Sequence, residues 1–153
     1  MLYSHVMTTQ IGLLTLEEAD GALRRVSFGD CARGERMETP LLARAQREIK
    51  EYLAGERRSF DLPLKLEGTP FQQLVWQALR DIPYGETRSY GELAAAIGRP
   101  RACRAVGMAN HYNPLAIIVP CHRVIGANGR LTGYAGGVEI KRALLKLEGI
   151  VTE

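Results

Sequence analysis

Cysteine is scarce in this chain and shows no pattern. Three cysteines, at positions 31, 103 and 121, have no CxxC spacing and no regular interval. This excludes a disulfide framework and points to a reducing compartment. Long apolar runs are absent as well, so no segment reads as membrane-spanning. Met1-Leu2-Tyr3-Ser4-His5 does not read as the start of a secretory signal. The expected location is therefore the cytoplasm, or the nucleus in a host that has one. Strong charge of one sign is also missing, the formal net charge being +3. Its distribution is uneven, however. Residues 1–68 hold ten Lys and Arg against eleven Asp and Glu, whereas residues 69–153 hold ten against six. The second half is therefore the basic one, and Arg99, Arg101 and Arg104 cluster there in a way that suits phosphates.

What is present is an ordinary globular composition, 46% hydrophobic and 24% charged. Leu2–Met7, Gly12–Glu17 and Ala22–Phe28 read as short strands, with Asp20-Gly21 as a hairpin turn. Thr39-Pro40 opens a helix whose apolar face is Leu42, Ala45, Ile49, Tyr52 and Leu53. Asp61–Gly68 reads as a connection. Thr69-Pro70 opens a second helix with an apolar stripe at Phe71, Leu74, Val75, Ala78 and Leu79. Ser89-Tyr90-Gly91-Glu92 is a capping box for a short helix that ends at Gly98-Arg99-Pro100. Another helix, from about Arg101 to Asn110, completes a helix-turn-helix pattern. A last helix carries Ile140, Ala143, Leu144 and Leu147 and ends at Glu148, where a carboxylate opposes the helix dipole: it is either a surface glutamate tolerated at small cost or one that has a compensating partner or a function. The fold class expected is α+β: a small N-terminal antiparallel sheet with a helix (1–62), a connection (63–68), and a mainly helical C-terminal domain (69–153).

The chemistry concentrates in Ile117-Ile118-Val119-Pro120-Cys121-His122-Arg123-Val124. A thiol beside an imidazole and a guanidinium lies in an electropositive setting, which favours the nucleophilic thiolate; on these residues alone the other reading is a buried cysteine packed as a small hydrophobe. On an extended strand Cys121 and His122 would point to opposite faces, so a direct contact between them requires a turn or helix start here. The helix at 101–110 is rich in small residues, Ala102, Cys103, Ala105, Gly107 and Ala109, leaving a face that can approach a nucleic acid closely, with Arg104 projecting from it.

Taken in order, Thr69-Pro70-Phe71-Gln72, Ile82-Pro83-Tyr84-Gly85-Glu86-Thr87, Ser89-Tyr90, Arg104-Ala105-Val106-Gly107, Asn113-Pro114, Pro120-Cys121-His122-Arg123-Val124, Gly133-Tyr134-Ala135-Gly136-Gly137 and Glu148-Gly149 cover nearly all of residues 69–153. This half resembles the O6-alkylguanine-DNA alkyltransferases, also called methylated-DNA–protein-cysteine methyltransferases. The resemblance implies a monomeric DNA-repair protein that flips O6-alkylguanine out of duplex DNA and moves its alkyl group irreversibly to a cysteine, once per molecule and without cofactor. Cys121 then matches the acceptor, and His122 and Glu148 match the pair that removes the thiol proton through a water. Tyr90 matches the donor to the departing guanine ring, Asn113 the brace of the turn between the recognition helix and the cysteine strand, and Arg104 the finger that replaces the flipped base. Tyr134, Val124, Ala135 and Pro120 match the base pocket; Ala102, Cys103, Ala105 and Gly107 share the DNA face with Arg104. Cys103 and Ala135 stand where relatives commonly carry alanine and, in some cases, serine; Cys103 is expected to pack inertly. Some relatives hold zinc in the N-terminal domain, but His5 and Cys31 are too few ligands for such a site. Two rivals are a cysteine hydrolase, which brings its histidine from a distant part of the chain, and a damage-binding relative, which lacks the acceptor cysteine.

Overall fold

The structure is a computed structural model and describes residues 1–152. Contacts divide it into two units: residues 1–67 with 114–118, and residues 68–113 with 119–152.

In the first unit, β1 (Leu2–Thr9), β2 (Gly12–Ala19) and β3 (Ala22–Phe28) form an antiparallel meander, and a short β4 (Glu35–Arg36) pairs parallel with β1. The sheet order is β3-β2-β1-β4. Asp20 and Gly21 both have positive φ, 53° and 75°, as a tight hairpin turn of the primed type needs. Helix α1 (Pro40–Leu53) is capped by Thr39, whose hydroxyl accepts from Leu42 N, and buries Leu42, Ala45, Ile49, Tyr52 and Leu53. These side chains, with Leu14, Leu16, Leu23 and Val26 of the sheet, form the core of this unit.

Two segments depart from the sequence expectation. Residues 63–65, read as a connection, run along β3 instead: Leu23 N donates to Pro63 O at 2.8 Å and Lys65 N to Leu23 O at 3.0 Å. Leu115, assigned by sequence to the second half, bridges Val26 and brings Pro114–Ile118 into the first unit. The predicted cysteine strand is not formed either. Ile117 has φ of 72°, the left-handed region that β-branched residues rarely enter.

The second unit is helical. Helix α2 (Pro70–Arg80) and α3 (Tyr90–Ala96) each begin with a reciprocal capping box, Thr69 with Gln72 and Ser89 with Glu92. Helix α4 (Cys103–His111) starts two residues later than expected, with Ala102 at its N-cap, and α5 spans Val138–Leu147. Trp76 of α2 is buried and its indole N–H donates to Ala109 O of α4 at 2.9 Å, fixing the two helices together. A two-residue parallel pair, β5 (Arg88–Ser89) with β6 (Val124–Ile125), has the register Arg88↔Val124 and Ser89↔Ile125. The parallel register sets Tyr90, directly after β5, beside Gly126 at the start of the loop after β6, and sets the Cys121–Arg123 turn, directly before β6, beside the residues that enter β5. Among the described residues no helix is long and apolar enough to cross a membrane.

Candidate active site around Cys121

Cys121, His122 and Arg123 form a single 3-10 turn, closed by Arg123 N donating to Pro120 O at 3.0 Å. Three residues per turn places successive side chains about 120° apart rather than opposite. The turn that a Cys121–His122 partnership requires is thus present. All three side chains are buried, as are Pro120 and Val124. The approach to the turn is held by Val119 O, which accepts from both Asn113 Nδ2 and Cys121 N at 2.8 Å. Asn113 is thereby tied to the segment that leads into the Cys121 turn.

Glu148 caps the C-terminal end of α5 against the dipole, and its partners explain how. The carboxylate is fully buried. It accepts from His122 Nε2 at 2.8 Å, from Arg123 Nε at 2.9 Å and NH2 at 3.1 Å, and from Gly85 N at 3.0 Å. Arg123 also donates to Ile82 O at 2.7 Å and lies over the Tyr84 ring, 5.7 Å from its centroid. The bidentate guanidinium–carboxylate pair is the strong form of this contact, and it neutralises a charge that could not otherwise be buried. Paired this way, the carboxylate only accepts hydrogen bonds. His122 Nε2 is then the donor, and the lone pair of the neutral ring resides on Nδ1.

The protonation states differ from the sequence expectation. Burial pushes the Cys121 thiol above its ordinary value, opposed by the Asn113 side chain, the charge of Lys141 and Tyr134. The cation that acts on the thiol is Lys141 rather than the sequence neighbours His122 and Arg123, and desolvation outweighs it, so the resting group is a thiol rather than a thiolate. Burial also lowers His122, against the pull of Glu148, so the imidazole rests neutral.

Sequence reading missed Lys141. It interrupts the apolar face of α5, yet it is completely buried, with Nζ donating to Thr132 O at 3.2 Å. Desolvation lowers it to about 8, and its charge acts on Cys121. Because the folded value lies below the unfolded one, the unfolded chain binds more protons between about 8 and 10.5, and stability rises with pH there. Denaturant titrations of wild type and Lys141→Met across this window are expected to show the difference moving in favour of wild type as pH rises. A pH-independent difference contradicts the assignment. Arg123 and Gly85 were missed as partners of Glu148, since they lie 25 and 63 residues away in sequence.

Tyr90, half-buried at the start of α3, has its hydroxyl 3.0 Å from Thr132 Oγ1. Tyr134 is half-buried and Ala135 exposed, on the loop between β6 and α5. On α4, Cys103, Arg104 and Ala105 are exposed, while Val106, Ala109 and Asn110 form the buried face. Gly107 lies beside Tyr90, where an added Cβ would come 3.8 Å from the ring. Cys103 is exposed rather than packed. Arg99 lies over the Phe71 ring, 5.9 Å from its centroid. Among the described residues no group of three His, Cys, Asp or Glu is placed to hold a metal ion.

Comparison with known proteins matches residues 2–66 to the family 6-O-methylguanine DNA methyltransferase, ribonuclease-like domain, and residues 70–150 to 6-O-methylguanine DNA methyltransferase, DNA binding domain. A methylated-DNA–protein-cysteine methyltransferase of Methanosarcina acetivorans is 51% identical over 157 residues, covering 97% of this chain and 99% of the relative. The chain belongs to the methylated-DNA–protein-cysteine methyltransferase family. The constitutive methylated-DNA–protein-cysteine methyltransferase of Bacillus subtilis is 50% identical, covering 98% of this chain and 97% of its own. The crystal structure of Mycobacterium tuberculosis OGT in complex with DNA superposes with a TM-score of 0.88 at 52% identity, covering 95% of this chain and 92% of that one. A methyltransferase of this family places its acceptor on a cysteine, and Cys121 is the buried cysteine of the three.

Proposed function

We propose that this protein repairs duplex DNA containing O6-alkylguanine by taking the alkyl group onto Cys121. The observation that carries this reading is the 2.8 Å contact between His122 Nε2 and Glu148, placed on the residue next to a buried thiol in a chain of this family. The thiol proton passes to His122, directly or through one water, and Glu148 stabilises the imidazolium, as a carboxylate does in a catalytic triad. Cys121 Sγ forms a bond to the alkyl carbon as the bond from that carbon to guanine O6 breaks. Tyr90 gives its proton to the ring, which leaves as guanine rather than as an anion, and the proton taken up by His122 returns to the Tyr90 phenolate through solvent, so both groups end as they began. The product is a thioether, which water does not cleave under mild conditions, so each molecule acts once. Nothing in this sequence calls for a metal or cofactor.

A base stacked in a duplex is out of reach of a buried sulfur, so the nucleotide is flipped out, at a cost of a few kcal/mol. Arg104, exposed on α4 among Ala102, Cys103, Ala105 and Gly107, is the group assigned to the gap. The Mycobacterium tuberculosis relative forms a complex with DNA, which supports DNA as the partner. Tyr134, Val124, Ala135 and Pro120 are assigned to the pocket for the flipped base. Ala135 has no side-chain donor for O6, which leaves that task to backbone N–H groups. The protein is read as a cytoplasmic monomer, its three cysteines free as a reducing compartment keeps them.

Arg104→Ala tests the flipping role. Transfer from an O6-methylguanine duplex is expected to slow on the order of tenfold or more, the scale of losing part of a flipping step of a few kcal/mol. Reaction with free O6-benzylguanine, which needs no flipping, is expected to stay near the wild-type rate. Equal slowing of both removes the finger role.

A further inference from the structure

Thr132 belongs to none of the sequence motifs that mark the family. It stands on the loop between β6 and α5, is itself exposed, and makes two contacts. Its hydroxyl lies 3.0 Å from the Tyr90 hydroxyl, and its carbonyl accepts from the buried Lys141 Nζ at 3.2 Å. The loop carries its own internal bonds, Gly126 N to Arg130 O at 2.8 Å and Gly137 N to Tyr134 O at 2.9 Å. The backbone of Thr132 is thus tethered to α5, and a β-branched side chain has few rotamers once its backbone is set. Tyr90 is held from the other side, as the first residue of a helix fixed by the Ser89–Glu92 capping box. Two otherwise separate elements therefore meet hydroxyl to hydroxyl, at a phenol to which the reaction assigns a proton-donating task.

We propose that Thr132 is a positioning residue of the transfer step, its hydroxyl fixing the Tyr90 phenol and donating to the phenol oxygen while that phenol donates to the guanine ring. The inference rests on the proposed alkyl transfer to Cys121. The phenol oxygen accepts one hydrogen bond as it gives another. Hydrogen bonds in such a chain polarise one another, so the phenol becomes the better donor. No proton is lost from Thr132, and the covalent step is unchanged.

Single-turnover transfer from a saturating O6-methylguanine duplex tests this in wild type, Thr132→Val, Thr132→Ser, Tyr90→Phe and the Tyr90→Phe/Thr132→Val double variant. Thr132→Val keeps the shape and removes the hydroxyl; the rate is expected to fall about fivefold, the scale of one neutral hydrogen bond. Thr132→Ser is expected to restore most of it. In the Tyr90→Phe background the valine is expected to add no further loss, because the hydroxyl it would serve is gone. A full, independent loss in that background makes Thr132 a fastening for the loop alone and overturns the proposal. An unchanged or faster Thr132→Val also overturns it, the latter meaning that Thr132 holds Tyr90 back. Wild type that transfers methyl while the variants behave additively defeats this inference alone. Wild type that transfers none defeats the proposed function together with it.

Discussion

Replacing Glu148 with glutamine is expected to cost the fold about 3–5 kcal/mol, the scale of breaking a buried ion pair from one side. The reason is geometric. Arg123 is buried, and its two short contacts to Glu148 are what balance its charge. Glutamine fits the space but leaves the guanidinium uncompensated, and its amide N–H groups face donors where carboxylate oxygens accepted. Gly85 N and His122 Nε2 both point at oxygens that only accept. Denaturant unfolding measures the loss, and a change below about 1 kcal/mol contradicts a buried charge network, since that is what exposed pairs contribute. Where the variant still folds, alkyl transfer is expected to slow on the order of 10²- to 10⁴-fold, the usual contribution of a correctly held general base. Both losses follow from one carboxylate that serves the Gly85 backbone, the arginine and the histidine together.

Cys121→Ser is expected to abolish alkyl transfer and to leave binding to O6-methylguanine duplex intact. Displacement at a saturated carbon needs a soft, strong nucleophile, and sulfur supplies it as thiolate. A serine hydroxyl in the same buried turn would have to ionise from a far weaker acid, against the same desolvation that already raises the thiol. The side chains differ little in size, so the 3-10 turn, the Asn113 brace and the exposed face of α4 are left as they are. Binding measured by gel shift is therefore expected to persist, with the lesion still in the DNA afterwards. Residual transfer by the serine variant would mean that another group accepts the alkyl, with exposed Cys103 the first to examine.

The parts of this site that lie close together in sequence were legible before the fold. Ser89 and Glu92 sit three apart with the right chemistry for a capping box, and that box delivers Tyr90. Pro120 to Val124 reads as a nucleophile with a base beside it, and the unfavourable position of Glu148 on its helix already raised the question of a partner. The parts set by distant contacts were not legible. Nothing local joins Gly85 or Arg123 to Glu148, or Leu115 to Val26. Ile117 in a left-handed conformation goes against its own preference, so a run of Ile, Ile and Val reads as a strand although it is a loop. Lys141 was hidden by the same logic that found the stripe on α5: apolar residues were sought on the buried face, and the lysine lies there with its amine satisfied by Thr132 O. The thiolate expectation failed for a related reason, because basic neighbours are visible in a sequence, whereas the pairing of Arg123 with Glu148 and the depth of burial are not.

The most direct measurement is the intact mass of the protein after mixing with an equimolar O6-methylguanine duplex, followed by peptide mapping. Wild type is expected to gain one methyl group in place of one hydrogen, on the peptide holding Cys121, with ordinary guanine left in the DNA and no second addition when more substrate is supplied. Cys121→Ser is expected to gain nothing. Unmodified Cys121 beside unrepaired DNA, or a methyl group mapped to any other residue, contradicts the account.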